Sequence, residues 1–178
     1  LSIQGAIEAN RTRFDSARRI ALSADGSIDL GEATLDNYQS SNGDGEITVE
    51  AGGDLTASDA TVDGAKTITL SGRSVDLTDG RVDNYQNSNG DGSLRLDATG
   101  DVDGIGTTFD SGREIRLTAD GMKLAGATLD NYQRSNGDGR IELDADGAID
   151  APATTFDSAK GISLSAGSLT ADDAVFDN

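Results

Sequence analysis

The 178-residue chain contains no cysteine, no histidine and no tryptophan, and only one proline. Without thiolate or imidazole it can form no disulfide, offer zinc no sulfur or nitrogen ligand, and run neither a Ser-His-Asp nor a Cys-His nucleophile system. Catalysis, if there were any, would fall to carboxylates, lysine, tyrosine or hydroxyls. Long apolar runs are missing as well. No stretch approaches the roughly 20 residues that span a bilayer, so no transmembrane segment is expected. Leu1-Ser2-Ile3-Gln4 is neither an initiator methionine nor a signal peptide, and the chain reads as an excerpt. Positive charge is scarce too: 14 Lys and Arg stand against 32 Asp and Glu, and a net charge of −18 argues against a nucleic-acid partner.

Glycine is abundant, with 23 residues, and together with the apolar residues it reaches the share usual for globular proteins, so a packed core is available. Self-comparison is the informative step. Asp36-Asn37-Tyr38-Gln39 recurs as Asp83-Asn84-Tyr85-Gln86 and Asp130-Asn131-Tyr132-Gln133, a step of 47 residues. Asn42-Gly43-Asp44-Gly45, Asn89-Gly90-Asp91-Gly92 and Asn136-Gly137-Asp138-Gly139 keep that step. A related series, Phe14-Asp15, Val62-Asp63, Phe109-Asp110 and Phe156-Asp157, divides each 47 into 27 and 20. The unit is a coil of about 20 residues, and alternate coils carry a seven-residue insert.

Within each coil apolar and polar residues alternate, as in a strand with one buried face. The first strand reads Ile20-x-Leu22-x-Ala24, then Ile47-x-Val49-x-Ala51, and so on to Ile162-x-Leu164-x-Ala166. A second short strand follows, for example at Ile28 and Leu30, and a third ends at the apolar residue before the recurring Asp. Glycine, Asp, Asn and Ser between them supply turns. Stacking coil on coil pairs each strand in parallel with its counterparts about 4.8 Å above and below. The expected fold is therefore all-β: a parallel β-helix (β-solenoid) of three short strands per coil, right-handed by the crossover preference. Residues 1–178 form one segment of about eight coils, on the order of 35–40 Å long, uncapped at both ends.

Gly139-Arg140-Ile141-Glu142-Leu143-Asp144-Ala145-Asp146-Gly147-Ala148-Ile149, with its I-x-L-x-A strand and Gly-Asx turns, resembles the repeats of filamentous-haemagglutinin-type exoproteins. These are large secreted adhesins and contact-dependent inhibition proteins of Gram-negative bacteria, exported by two-partner secretion. The resemblance implies a right-handed β-helical shaft, secreted or displayed on the cell surface, with an outer-membrane transporter as a partner. The 47-residue double repeat with its inserts departs from the plain family repeat.

Three polar features are candidates for function. The Asp column (Asp15, Asp36, Asp63, Asp83, Asp110, Asp130, Asp157, Asp177) points outward by alternation. It is read as a series of Asx turns entering each corner, with a cation-binding ladder as the alternative. The inserts resemble the middle of a calcium loop, with Asp44, Asp91 and Asp138 at its fifth position. Its twelfth position would then hold Ala51, Ala98 and Ala145 where a bidentate Glu belongs, so tight glycine turns are the simpler reading and no cofactor is assigned. Tyr38, Tyr85 and Tyr132 recur on every second coil and form a candidate surface contact row, against the reading that each ring covers its own insert.

No catalytic or metal-binding residue is assigned. The chain is expected to be a structural shaft segment of an adhesin-like protein, not an enzyme. Its expected partners are a host or neighbouring-cell surface receptor or glycan, and further copies end to end. The alternatives are a self-assembling extracellular filament subunit and a polysaccharide-binding or polysaccharide-cleaving β-helix.

Overall fold

The computed structural model describes residues 1–37, 45–64, 66–84, 92–131 and 139–178. Among them there is no helix, and the strands form three parallel sheets of eight, each coil contributing one strand to each sheet. The sixth coil is representative, with strands at Glu114–Ala119, Gly121–Lys123 and Thr128–Asn131. The register is strict: Ile115 pairs with Leu94 below and Ile141 above, and Leu117 with Leu96 and Leu143. The fold is a parallel β-helix of three strands per coil, consistent with a right-handed winding.

The core is the inward half of the alternation. Ile47, Ile68, Leu94, Ile115 and Ile141 form one aliphatic column, and Val49, Leu70, Leu96, Leu117 and Leu143 the next, all essentially free of solvent. Each such side chain contributes about 1.5–3 kcal/mol by leaving water, and it packs on the same residue type one coil away. Phe156 and Phe176 extend the habit to aromatic rings, stacked with centroids 4.8 Å apart.

One corner recurs in all eight coils, between the second and third strands. Arg11, Glu32, Asp59, Asp79, Gly106, Gly126, Ala153 and Asp173 occupy equivalent positions there, each with φ between 53° and 68°. In most coils the next residue's N–H closes back on the carbonyl three residues earlier, as from Ala33 to Leu30 (2.8 Å). Positive φ at the third position is the signature of a type II turn, whose second position favours proline. Pro152, the single proline, stands immediately before Ala153.

The third strand is longer than the alternation suggests. It does not stop before the recurring Asp but includes it, and in the fourth to seventh coils it runs one residue further, as in Arg81–Asn84.

Candidate functional site

The third sheet sets eight aspartates in one column. Asp15 pairs with Asp36, Asp36 with Asp63, Asp63 with Asp83, and the pairing continues through Asp110, Asp130 and Asp157 to Asp177. Alternation turns them outward beside the fully buried Leu35, Val62, Val82, Phe109, Leu129 and Phe156. Asp15, Asp110 and Asp157 do not form the Asx turns that the sequence suggests, since none of them accepts the N–H two residues on; for Asp36, Asp63, Asp83 and Asp130 that N–H lies outside the described residues. The main-chain N–H after the Asp bonds to the next coil, Ser16 to the Asp36 carbonyl at 3.0 Å and Asn37 to that of Asp63 at 2.9 Å. Asx geometry is present in the second strand, where Asp29, Asp76 and Asp103 accept the N–H two residues on.

Stacked carboxylates on a half-buried sheet resist ionisation. Loss of solvent, and then the charges of Asp83 and Asp130, push the Asp110 carboxyl up to about 6. Asp63 and Asp157 shift in the same direction, again through desolvation first and neighbouring aspartates second. Two arginines relieve the lower coils: Arg13 Nη2 lies 2.9 Å from Asp36 and 3.4 Å from Asp15, and Arg81 pairs with Asp83. Among the described residues no ion pair reaches Asp110 or Asp157. A carboxyl that titrates near neutrality could move a proton. No ladder aspartate, however, lines any of three surface notches found on the rod. No group of three or more carboxylates among the described residues is arranged to hold a metal ion.

After five of the eight ladder aspartates the next side chain turns inward: Asn37, Asn84 and Asn131 in coils that lead into an insert, and Ser111 and Ser158 in two coils that do not, all 0–1% exposed. Asn84 Nδ2 donates to the Lys66 carbonyl at 2.9 Å and the Ser93 carbonyl at 2.6 Å, so one amide ties the coil below to the far side of the insert. Asn37 does the same with Arg18 and Glu46. Ser111 Oγ sits 2.9 Å from the Gly92 carbonyl and 3.0 Å from that of Glu114, donating its single hydrogen to one at a time. The last glycine of each Asn-Gly-Asp-Gly run closes the neck. A Cβ at Gly92 or Gly139 would run into the main-chain oxygen of Asn84 or Asn131. These buried asparagines were not singled out by the sequence reading, although alternation from the outward Asp places them inside.

Tyr38, Tyr85 and Tyr132 lie outside the described residues, as do Asp44, Asp91 and Asp138. Their anchors do not: Asn37 and Gly45, Asn84 and Gly92, and Asn131 and Gly139 bracket the three inserts at the same corner, two coils apart or about 9.6 Å. Of the calcium-loop positions, Ala98 and Ala145 are buried in the first sheet.

Compared with known proteins, residues 73–176 match a family model described as hemagglutinin repeat. Searches of curated proteins and of solved structures found no match.

Proposed function

Because the chain belongs to the hemagglutinin repeat family, we propose that it is a length of shaft in a large secreted or cell-surface adhesin-like protein, where it provides reach and display and performs no chemistry. The observation that supports this most directly is the register. Aspartate pairs with aspartate through all eight coils, so among the described residues the three-strand cross-section repeats from coil to coil. Stability in such a stack accumulates from nearest-neighbour coils, and length can be added without a new core. The net charge of −18 keeps neighbouring rods apart in water. Export through an outer-membrane transporter and contact with another cell's receptor or glycan belong to the same proposal.

The test is surface labelling. Antibody raised against residues 1–178 should label intact cells that express the parent gene, and brief external protease should remove the label. Labelling that requires lysed cells would overturn the proposal.

A further inference from the structure

The residue after the ladder aspartate differs with what the chain does next. Where the chain passes directly to the first sheet it is Ser16, Gly64, Ser111 or Ser158, and where an insert intervenes it is Asn37, Asn84 or Asn131. The serine and asparagine side chains bind equivalent carbonyls. Ser111 Oγ faces the Gly92 carbonyl, one winding earlier, and the Glu114 carbonyl three residues on. Asn84 Nδ2 donates to the Lys66 carbonyl, one winding earlier, and to the Ser93 carbonyl nine residues on. Ser93 and Glu114 are register partners, and so are Thr67 and Ser93, the residues that follow Lys66 and Gly92. Ser158 repeats the first arrangement with Gly139 and Gly161, and Asn37 the second with Arg18 and Glu46. Gly64 has no side chain, and a Cβ there would lie 2.8 Å from Ile68 Cγ1.

An amide is the harder group to bury at this position. Oδ1 of Asn84 and of Asn131 is buried with no hydrogen-bond partner among the described residues, whereas the Ser111 and Ser158 hydroxyls are bonded. What the amide adds is reach and a second N–H, so it holds both banks of a gap at once where a hydroxyl donates to one at a time. The returning residue changes with it. After an insert the chain re-enters through Gly45, Gly92 or Gly139, which are buried, and otherwise through Arg18, Lys66, Arg113 or Lys160, which are exposed. A Cβ on Gly92 or Gly139 would collide with the main-chain oxygen of Asn84 or Asn131, so the narrow neck requires glycine. Each acceptor of the Asn37 and Asn84 amides named above is a main-chain carbonyl outside residues 38–44 and 85–91, so these bonds form without any group of the insert.

We propose that the inward residue decides whether a coil is open or closed at this corner. Asparagine with a returning glycine clamps a gap of seven residues, such as 85–91, and serine with a returning cation closes a gap of one, such as Gly112. The corner is then a loop-carrying station whose occupant can be exchanged while the rod beneath it stays the same, once every second coil or about 9.6 Å along one edge. The clamp depends on neither export nor adhesion, so it can hold where the shaft proposal fails.

The test is a cycle of variants of the 178-residue chain, followed by melting temperature and circular dichroism. Asn84→Ser alone leaves the gap with a side chain too short to span it, and the melting temperature should fall by about 4–8 °C. Replacing residues 85–92 by Gly-Arg, the sequence of Gly112 and Arg113, closes the gap but leaves Asn84 in the space of a serine, and a similar fall is expected. The two changes together recreate the corner of Ser111, and the melting temperature should return to within about 3 °C of the parent. Replacing residues 86–90 by a Gly-Ser run of equal length, with Asn84 and Gly92 kept, should also leave it within about 3 °C. If the two single variants do not fold, a folded combined variant supports the clamp and an unfolded one overturns it. A combined loss as large as the sum of the single losses, no loss in Asn84→Ser, or a loss from the Gly-Ser run as large as that from Asn84→Ser would each overturn the proposal.

Discussion

Two polar columns run side by side along the third sheet, one residue apart, and the fold treats them oppositely. The outward aspartates stack as identical neighbours of like charge, with Arg13 beside Asp36 and Arg81 beside Asp83. The inward asparagines and serines are buried far more deeply, yet their donors meet main-chain carbonyls from two coils at once. A stack of identical residues stabilises only when each member complements what lies directly above and below it. Amides and hydroxyls facing carbonyls do this, and carboxylates facing carboxylates do not.

The strongest way to break the contrast is to move the outer chemistry one residue inward. Ser111→Asp would place a carboxylate against the Gly92 and Glu114 carbonyls at a position with no exposure. Urea unfolding should show a loss above about 4 kcal/mol, or no folded protein at all. A loss under about 1 kcal/mol would mean that the corner tolerates charge and that the contrast is false. Next comes Asn84→Ala, which strands the Lys66 and Ser93 carbonyls and should cost about 2–3 kcal/mol in the same measurement.

The outer column should respond with the opposite sign. Asp110 has its carboxyl raised to about 6, so the folded chain binds its proton before the unfolded chain does, and the column's cost disappears as pH falls from 7 toward about 4. Asp63 and Asp157 add to this trend. Asp54 runs the other way: hydrogen bonds from Arg73 and Ser74 hold it at about 2, so its contribution persists down to about pH 4 and is lost below. Melting temperature should therefore peak on the acid side, near pH 4–5. Asp110→Asn should stabilise by about 1–2 kcal/mol at pH 7, after allowance for solvent screening, and by almost nothing at pH 4. A melting temperature that falls steadily from pH 7 to 5 would contradict the ladder's electrostatics. The smallest effect is expected from Arg81→Gln, which removes the cation beside Asp83 whose charge also restrains the upward shift of the Asp63 and Asp110 carboxyls. Stability should drop by about 0.5 kcal/mol, and carboxyl NMR should show Asp110 titrating higher.

Much of this architecture was legible in the residues. A period of two within strands and of 47 between double coils leaves no other way to bury Ile, Leu and Val in one column while keeping Asp in another, so coil number, strand number and register follow from spacing. The type II corner was less legible, because Arg11, Glu32, Asp59 and Asp79 do not announce positive φ. It is the shared hydrogen-bonding position in the stack that holds them there. The ladder's pairing was less legible for a related reason. Asp before a corner favours an Asx turn locally, but the third strand runs on through the Asp, and at Asp15, Asp110 and Asp157 no such turn forms.

The sequence by itself determined that the chain winds into parallel coils with an aliphatic interior and an acidic exterior, since alternation and repetition are one-dimensional properties. Only the tertiary structure decided which polar groups face one another across coils: aspartate over aspartate outside, asparagine amide over carbonyl inside, arginine over glycine at the corner. Those meetings join residues about 20 or 27 positions apart, and their sign depends on burial and on the partner directly above, which no local pattern contains.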